Sequence, residues 1–261
     1  MRSRNAAVSL TLFAALGCGG STTAVNLTPE FPHEPPGMTV ITERAFNAKG
    51  EDHWSDEPSP NYSIVQDSDA PKSPTSVGQA LYPAGFVAGS EPISLNRNLG
   101  TTYHTLYVSF WFKFSPNFVG QPATNKIFHI FIADVNRVFL YLLGGGSQPL
   151  SPQFELQQVP VAGGARDLPP NVQPNFVVQR GRWYRWEFVL TSNTGDNADG
   201  KLDWWIDGVK MASYSDLQIT RSSQSNIWQI LQWAPTWGGI GGVVPADQYE
   251  RVDHIYISGK P

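Results

Sequence analysis

Along residues 105–114 the side chains alternate, so Tyr107, Ser109, Trp111 and Lys113 share one face of an extended segment. The opposite face carries Leu106, Val108, Phe110, Phe112 and Phe114, is wholly apolar, and must meet a core. Two rings, a hydroxyl and an amine make a half-wet surface, suited to a flat, C–H-rich sugar face and a nearby anion. A second alternating stretch, 183–191, puts Arg185 and Glu187 two apart on one side, where they can pair. Lys126 and His129 lie in a third segment, 126–133, at a spacing of three. On a regular strand that spacing sends them to opposite faces; only a bulge brings them together. Trp237 sits between Pro235 and a glycine cluster, a loop-like setting that would expose its ring for stacking on sugar.

Other chemistries fit less well. A retaining glycosidase needs two carboxyl groups about 5 Å apart, and Glu187 has no evident carboxylate partner. Asp196, Asn197 and Asp199 crowd one loop, but the first ligand position of an EF-type loop would fall on Gly195. That loop gives Ca²⁺ only weak support, and a plain hairpin connection outweighs it; no cofactor is expected. Gly144, Gly145 and Gly146 precede no Lys-Ser/Thr pair and open no helix, so they form no phosphate cradle.

Composition narrows the class further. The chain has 261 residues, 41% hydrophobic and 15% charged, with a formal net charge of -4. No basic patch stands out, which argues against a nucleic-acid partner. Gly 24 and Pro 21 suit many turns. Trp 9, Tyr 9 and Phe 14 suit a β core, with about a third of the rings left for a surface site.

At the start, Arg2 and Arg4 precede an apolar run from Ala6 to Leu16, too short to span a bilayer as a helix. Ala15-Leu16-Gly17-Cys18 is similar to a bacterial lipobox, and Cys18 is the only cysteine. The expected organisation is a lipoprotein signal peptide over 1–17, a flexible Gly-, Ser-, Thr- and Pro-rich tether over 18–39, and one domain over 40–261. The thiol of Cys18 would be lipidated and become the mature N-terminus, giving an envelope or surface location, or else a secreted chain. A single cysteine allows no internal disulfide, so the core must supply the stability.

The alternation predicts strands over 62–66, 77–82, 91–96, 105–114, 126–133, 137–143, 183–191, 201–207, 209–214 and the last residues through Ser258. Asp207-Gly208 is a two-residue hairpin signal. Residues 226–233 fit a helical period as well as a strand. No long amphipathic helix or internal repeat is visible. The elements add up to an all-β, antiparallel sandwich.

The run from Tyr107 to Pro116, Asn125–Ile130, Gly181–Glu187, Asp199-Gly200, Trp205–Gly208, Trp237–Gly239 and Asp253–Gly259 resembles bacterial polysaccharide lyase-like proteins of the concanavalin A-like lectin/glucanase superfamily. The resemblance implies a jelly roll with a concave groove that holds a glycan. It also implies cleavage of uronate polymers by β-elimination, with a polysaccharide as partner and the chain a monomer. Catalytic roles would fall to Lys126, His129, Arg185 and Tyr107, and substrate contacts to Trp111, Lys113, Glu187 and Trp237. The chain departs from the best-marked alginate lyase branch, having neither Arg-x-Glu-x-Arg nor Gln-Ile-His. It also lacks the paired carboxylates of glucanases on that fold. The Trp-x-x-Asp-Gly hairpin occurs in laminin-G-like lectin domains too. A non-catalytic carbohydrate-binding lipoprotein therefore stands beside the lyase as a second expectation.

Overall fold

A computed structural model of the chain describes residues 30–133, 136–159 and 165–261. The folded unit begins at Phe31. Cys18 and the signal peptide lie outside the described residues. The first strands are β1 (Thr39–Arg44), β2 (Ser55–Asp56), β3 (Tyr62–Val65), β4 (Val77–Tyr82) and β5 (Leu95–Asn98). β6 (Thr105–Phe114), β7 (Asn125–Phe131), β8 (Arg137–Leu143), β9 (Ser151–Gln157) and β10 (Ala165–Leu168) follow. β11 (Tyr184–Thr191), β12 (Gly200–Ile206), β13 (Val209–Leu217), β14 (Ile230–Trp237) and β15 (Gln248–Lys260) complete the set.

Two antiparallel sheets form. The first, of eight strands, runs β13-β12-β11-β6-β15-β4-β3, with β1 also on β15. β15 is long enough to take two partners on one edge: β4 pairs with Gln248–Val252 and β1 with Ile255–Gly259. Between them the ladder shifts register, and His254 has a φ of 48°. The second sheet, of seven strands, runs β10-β9-β8-β7-β14-β5-β2.

The apolar faces meet as the alternation requires. Leu106, Val108, Phe110, Phe112 and Phe114 of β6 are all buried. Phe110 meets Phe128 of the opposite sheet at 4.6 Å between ring centroids, and Phe154 lies 5.3 Å from Phe188 and 5.4 Å from Trp204. Each such ring removes ~150–250 Å² from water. The contact between sheets is close enough to exclude a side chain at Gly78 in β4. A Cβ there would lie 2.5 Å from Phe46 and 2.9 Å from Trp233.

The Asp207-Gly208 turn has both φ values positive, at 50° and 79°, the twist a two-residue hairpin needs. The ambiguous segment 226–233 becomes strand only from Ile230. The strand expected over 91–96 forms later, at Leu95–Asn98. β1, β2, β9 and β10 were not expected from the sequence; β9 nevertheless alternates Phe154 and Leu156 inward with Gln153, Glu155 and Gln157 outward.

Candidate functional site

The expected site residues fall on two outer faces, separated by the thickness of the sandwich. Tyr107, Trp111 and Lys113 of β6 and Arg185 and Glu187 of β11 share the first sheet, together with β15. Lys126 and His129 of β7 belong to the second. Residues on opposite outer faces cannot line one groove, so Lys126 and His129 stand apart from the β6 and β11 set.

On the first sheet Tyr107, Glu187, Arg185, Lys113 and Asp67 are drawn into contacts with one another and with their neighbours. Glu187 is 1% exposed. Its carboxylate accepts the Tyr107 hydroxyl at 2.7 Å, lies 3.2 Å from Arg185 Nε, and meets His33 Nδ1 at 3.1 Å. Lys113 is buried against Asp67, which also binds Arg251 at 2.8 Å. These two cations hold the Asp67 carboxyl below its ordinary range against the opposing effect of burial. Residues 31–34, expected within a flexible tether, lie across this sheet instead. Phe31 stacks on Tyr256 at 3.8 Å and His33 on Trp205 at 4.3 Å, while Glu34 accepts the Tyr256 and Ser258 hydroxyls. Tyr107 and Glu187 are thus sealed beneath a strap and form no open surface. Trp111 is half-buried in the same sheet, facing Arg185 and Asp253 in register.

Trp237 also departs from expectation. It ends β14 rather than projecting from a loop, is 4% exposed, and donates its indole N–H to Val119 at 2.8 Å. The glycines that follow it pack against Thr124 and Gln121, where a Cβ would lie 2.3 and 2.4 Å away, and the buried indole offers no ring to a sugar.

The second sheet assembles a different set. The β7–β8 ladder shifts register between Lys126 and Phe128. That bulge turns Lys126 onto the face that carries His129. Both then contact the buried ring of Phe139: Lys126 Nζ lies 4.0 Å from its centroid and the His129 ring 4.7 Å. Arg137 approaches the same ring at 5.0 Å, so two cations flank one aromatic beside the imidazole.

Register extends the cluster across the sheet. One row runs Asn96, Gln232, His129, Phe139, Glu155 and Asp167. The next holds Thr236, Lys126, Tyr141 and Gln153. The Tyr141 hydroxyl donates to Asp167 Oδ1 at 3.1 Å and accepts from Gln153 Nε2. No sequence reading singled out Arg137, Tyr141, Gln153, Glu155 or Gln232. The alternation of 137–143 and of 151–157 was the available signal, because it sends Arg137, Phe139, Tyr141, Gln153 and Glu155 to one side.

The electrostatics of this face are unusual. Burial first, then the charges of Lys126 and Arg137, push His129 down to about 3, so its ring is neutral at ordinary pH. Its Nε2 is buried and has no hydrogen-bond partner among the described residues. Burial and the neighbouring Arg137 lower Lys126, opposed by Glu155 and Glu91. Burial raises Tyr141, with Asp167 adding to the effect and the Gln153 amide opposing it, so the phenol keeps its proton. Glu155 is raised by burial and by Asp167. A pair of cations, a neutral imidazole and a protonated phenol are groups that can bind a carboxylate and move a proton.

Among the described residues, no cluster of three or more His, Cys, Asp or Glu could hold a metal ion. Asp199 closes its own loop by accepting from the Thr194 backbone N–H, and Asp196 ties that loop to the β13–β14 connection by accepting from Ser222.

No family model matches the chain, and no curated protein sequence matches it. Solved structures do. A variant of alginate lyase Aly36B in complex with an alginate trisaccharide superposes with a TM-score of 0.65 at 12% identity, covering 85% of this chain and 94% of that one. The endo-β-1,4-glucuronan lyase of Trichoderma reesei gives 0.61 at 15% identity, covering 85% and 96%. The PL-14 alginate lyase of Aplysia kurodai gives 0.61 at 12%, covering 84% and 98%. At such identities the likeness is one of fold: the chain is a β-sandwich jelly roll of the kind on which these polysaccharide lyases are built.

Proposed function

We propose that the outer face of β7, β8 and β9 binds an acidic polysaccharide and cleaves it by β-elimination. The observation that carries this reading is the pairing of Lys126 and Arg137 over Phe139, beside a neutral His129 and the protonated Tyr141. The two cations take the uronate carboxylate, which makes the proton α to it more acidic. The carboxylate also offsets the charges that help keep His129 uncharged, raising its basicity where that proton must leave. His129 accepts the α proton. The electron pair forms the new C=C bond, the glycosidic C–O bond breaks, and Tyr141 gives its proton to the leaving oxygen.

A second reading is a glycan-binding protein without catalysis. It is favoured by the buried His129 Nε2 and by the Tyr141 hydroxyl, which Asp167 and Gln153 already engage. Incubating the protein with alginate, glucuronan and other uronate polymers separates the two. Ultraviolet absorbance from an unsaturated uronate, lost in Lys126→Ala and Tyr141→Phe, supports the lyase. Glycan retention without that absorbance supports binding alone, and neither signal sinks both.

The chain further reads as a lipoprotein held to the bacterial envelope through Cys18, on the strength of the Ala15–Cys18 lipobox after Arg2, Arg4 and a short apolar run. Cys18→Ser should move the protein from the membrane fraction to the soluble one. Unchanged partition would refute the anchor.

A further inference from the structure

The second sheet's outer face changes character beyond His129. Asn96, Phe131, Ala133, Gln229, Ile230 and Gln232 line a shallow recess of about 280 Å³, and none of them is charged. Small-molecule pockets occupy roughly 300–1,000 Å³, so this one is scaled to a single ring rather than a run of them. It is continuous with the candidate site. Gln232 faces His129 in register, and the Phe131 and His129 rings lie 6.2 Å apart. Gln232 also donates to Ser94 at 3.0 Å, and Asn96 to the same hydroxyl at 3.3 Å, so both amides are held in place.

We infer that this recess takes an uncharged sugar, so that the preferred substrate is a polysaccharide whose uronate adjoins a neutral or N-acetylated residue. The inference rests on the acidic-polysaccharide reading of the neighbouring cations and adds the identity of the next sugar. A polymer made of uronate alone would place a second carboxylate among three amides, a phenyl ring and an isoleucine. There it would lose water without gaining a cation. A neutral ring loses nothing of that kind. Amides can bond its hydroxyls or an N-acetyl group, and the half-buried Phe131 can pack on its C–H face.

Calorimetric titration with oligosaccharides of equal length tests this, using glucuronan and alginate against hyaluronan, heparosan and chondroitin. At least one alternating glycan should bind about tenfold tighter than either homopolymer, the size of one misplaced charge. Gln229→Lys, which adds a cation to the recess, should narrow or reverse that ratio. Equal or tighter binding of the homopolymers overturns the inference. So does a ratio unmoved by Gln229→Lys, or no binding by any glycan. Absorbance of unsaturated product is read separately. The expected affinity order without absorbance leaves the recess assignment standing and removes the lyase; absorbance with the wrong order does the reverse.

Discussion

His129 shows how one side chain couples the stability of the fold to its chemistry. An ordinary histidine titrates near 6.5, whereas burial and the charges of Lys126 and Arg137 bring this one down to about 3. Between those values the unfolded chain binds a proton that the native ring refuses. Stability contributed by His129 is therefore full above about 6.5 and is lost as pH falls toward 3. Each pH unit inside that window costs up to about 1.4 kcal/mol. His129→Gln should flatten the pH dependence of the denaturant midpoint across the window relative to the parent chain. Parallel profiles would mean that the imidazole is not held neutral. Nothing in the sequence around residue 129 announces this. The spacing of Lys126 and His129 implied opposite faces, and it is the bulge, a property of pairing with β8, that brings both to Phe139.

Among the elements, β6 was the most legible because each of its inward positions is apolar and each is buried. The hairpin at Asp207-Gly208 was equally plain, since its φ values follow from residue type. What alternation does not encode is which outer face stays open. Here that is decided by the strap at residues 31–34, whose Pro32 and flanking prolines resemble a linker while Phe31 and His33 behave as anchors. Burial, together with the hydrogen bond to Glu34, pushes Tyr256 up to about 12. Phe31→Ala should therefore cost about 1–2 kcal/mol in equilibrium unfolding and bring one tyrosine back toward 10 in an absorbance titration. A variant with unchanged midpoint and unchanged titration would show that the strap does not hold in solution. The close approach at Gly78 makes a harder demand. Gly78→Ala should destabilise by about 1–3 kcal/mol through overpacking against Phe46 and Trp233, read as a drop in Tm.

For the whole molecule, the sandwich divides its labour between faces, and two tyrosines probe the division with the same substitution. Tyr107 of β6 and Tyr141 of β8 both lie on outward positions of alternating strands, both are buried, and both hydroxyls donate to a carboxylate. The sequence gives no ground for telling them apart; only the assignment of β6 and β8 to opposite sheets does. Tyr107→Phe removes one of the contacts satisfying the buried Glu187, costing about 1–3 kcal/mol of stability. Because that face lies under the strap, product formed per folded molecule should not change. Tyr141→Phe removes the proton assigned to the leaving oxygen, and general acid–base groups contribute about 10²–10⁴-fold. Its unsaturated product should fall by at least about a hundredfold, while binding of the same glycan, measured by calorimetry, stays within a few fold. Rates falling equally in both variants would mean that the chemistry follows global stability. A loss confined to Tyr107→Phe would move the active face to the first sheet, and with it the role of the strap from cover to lid.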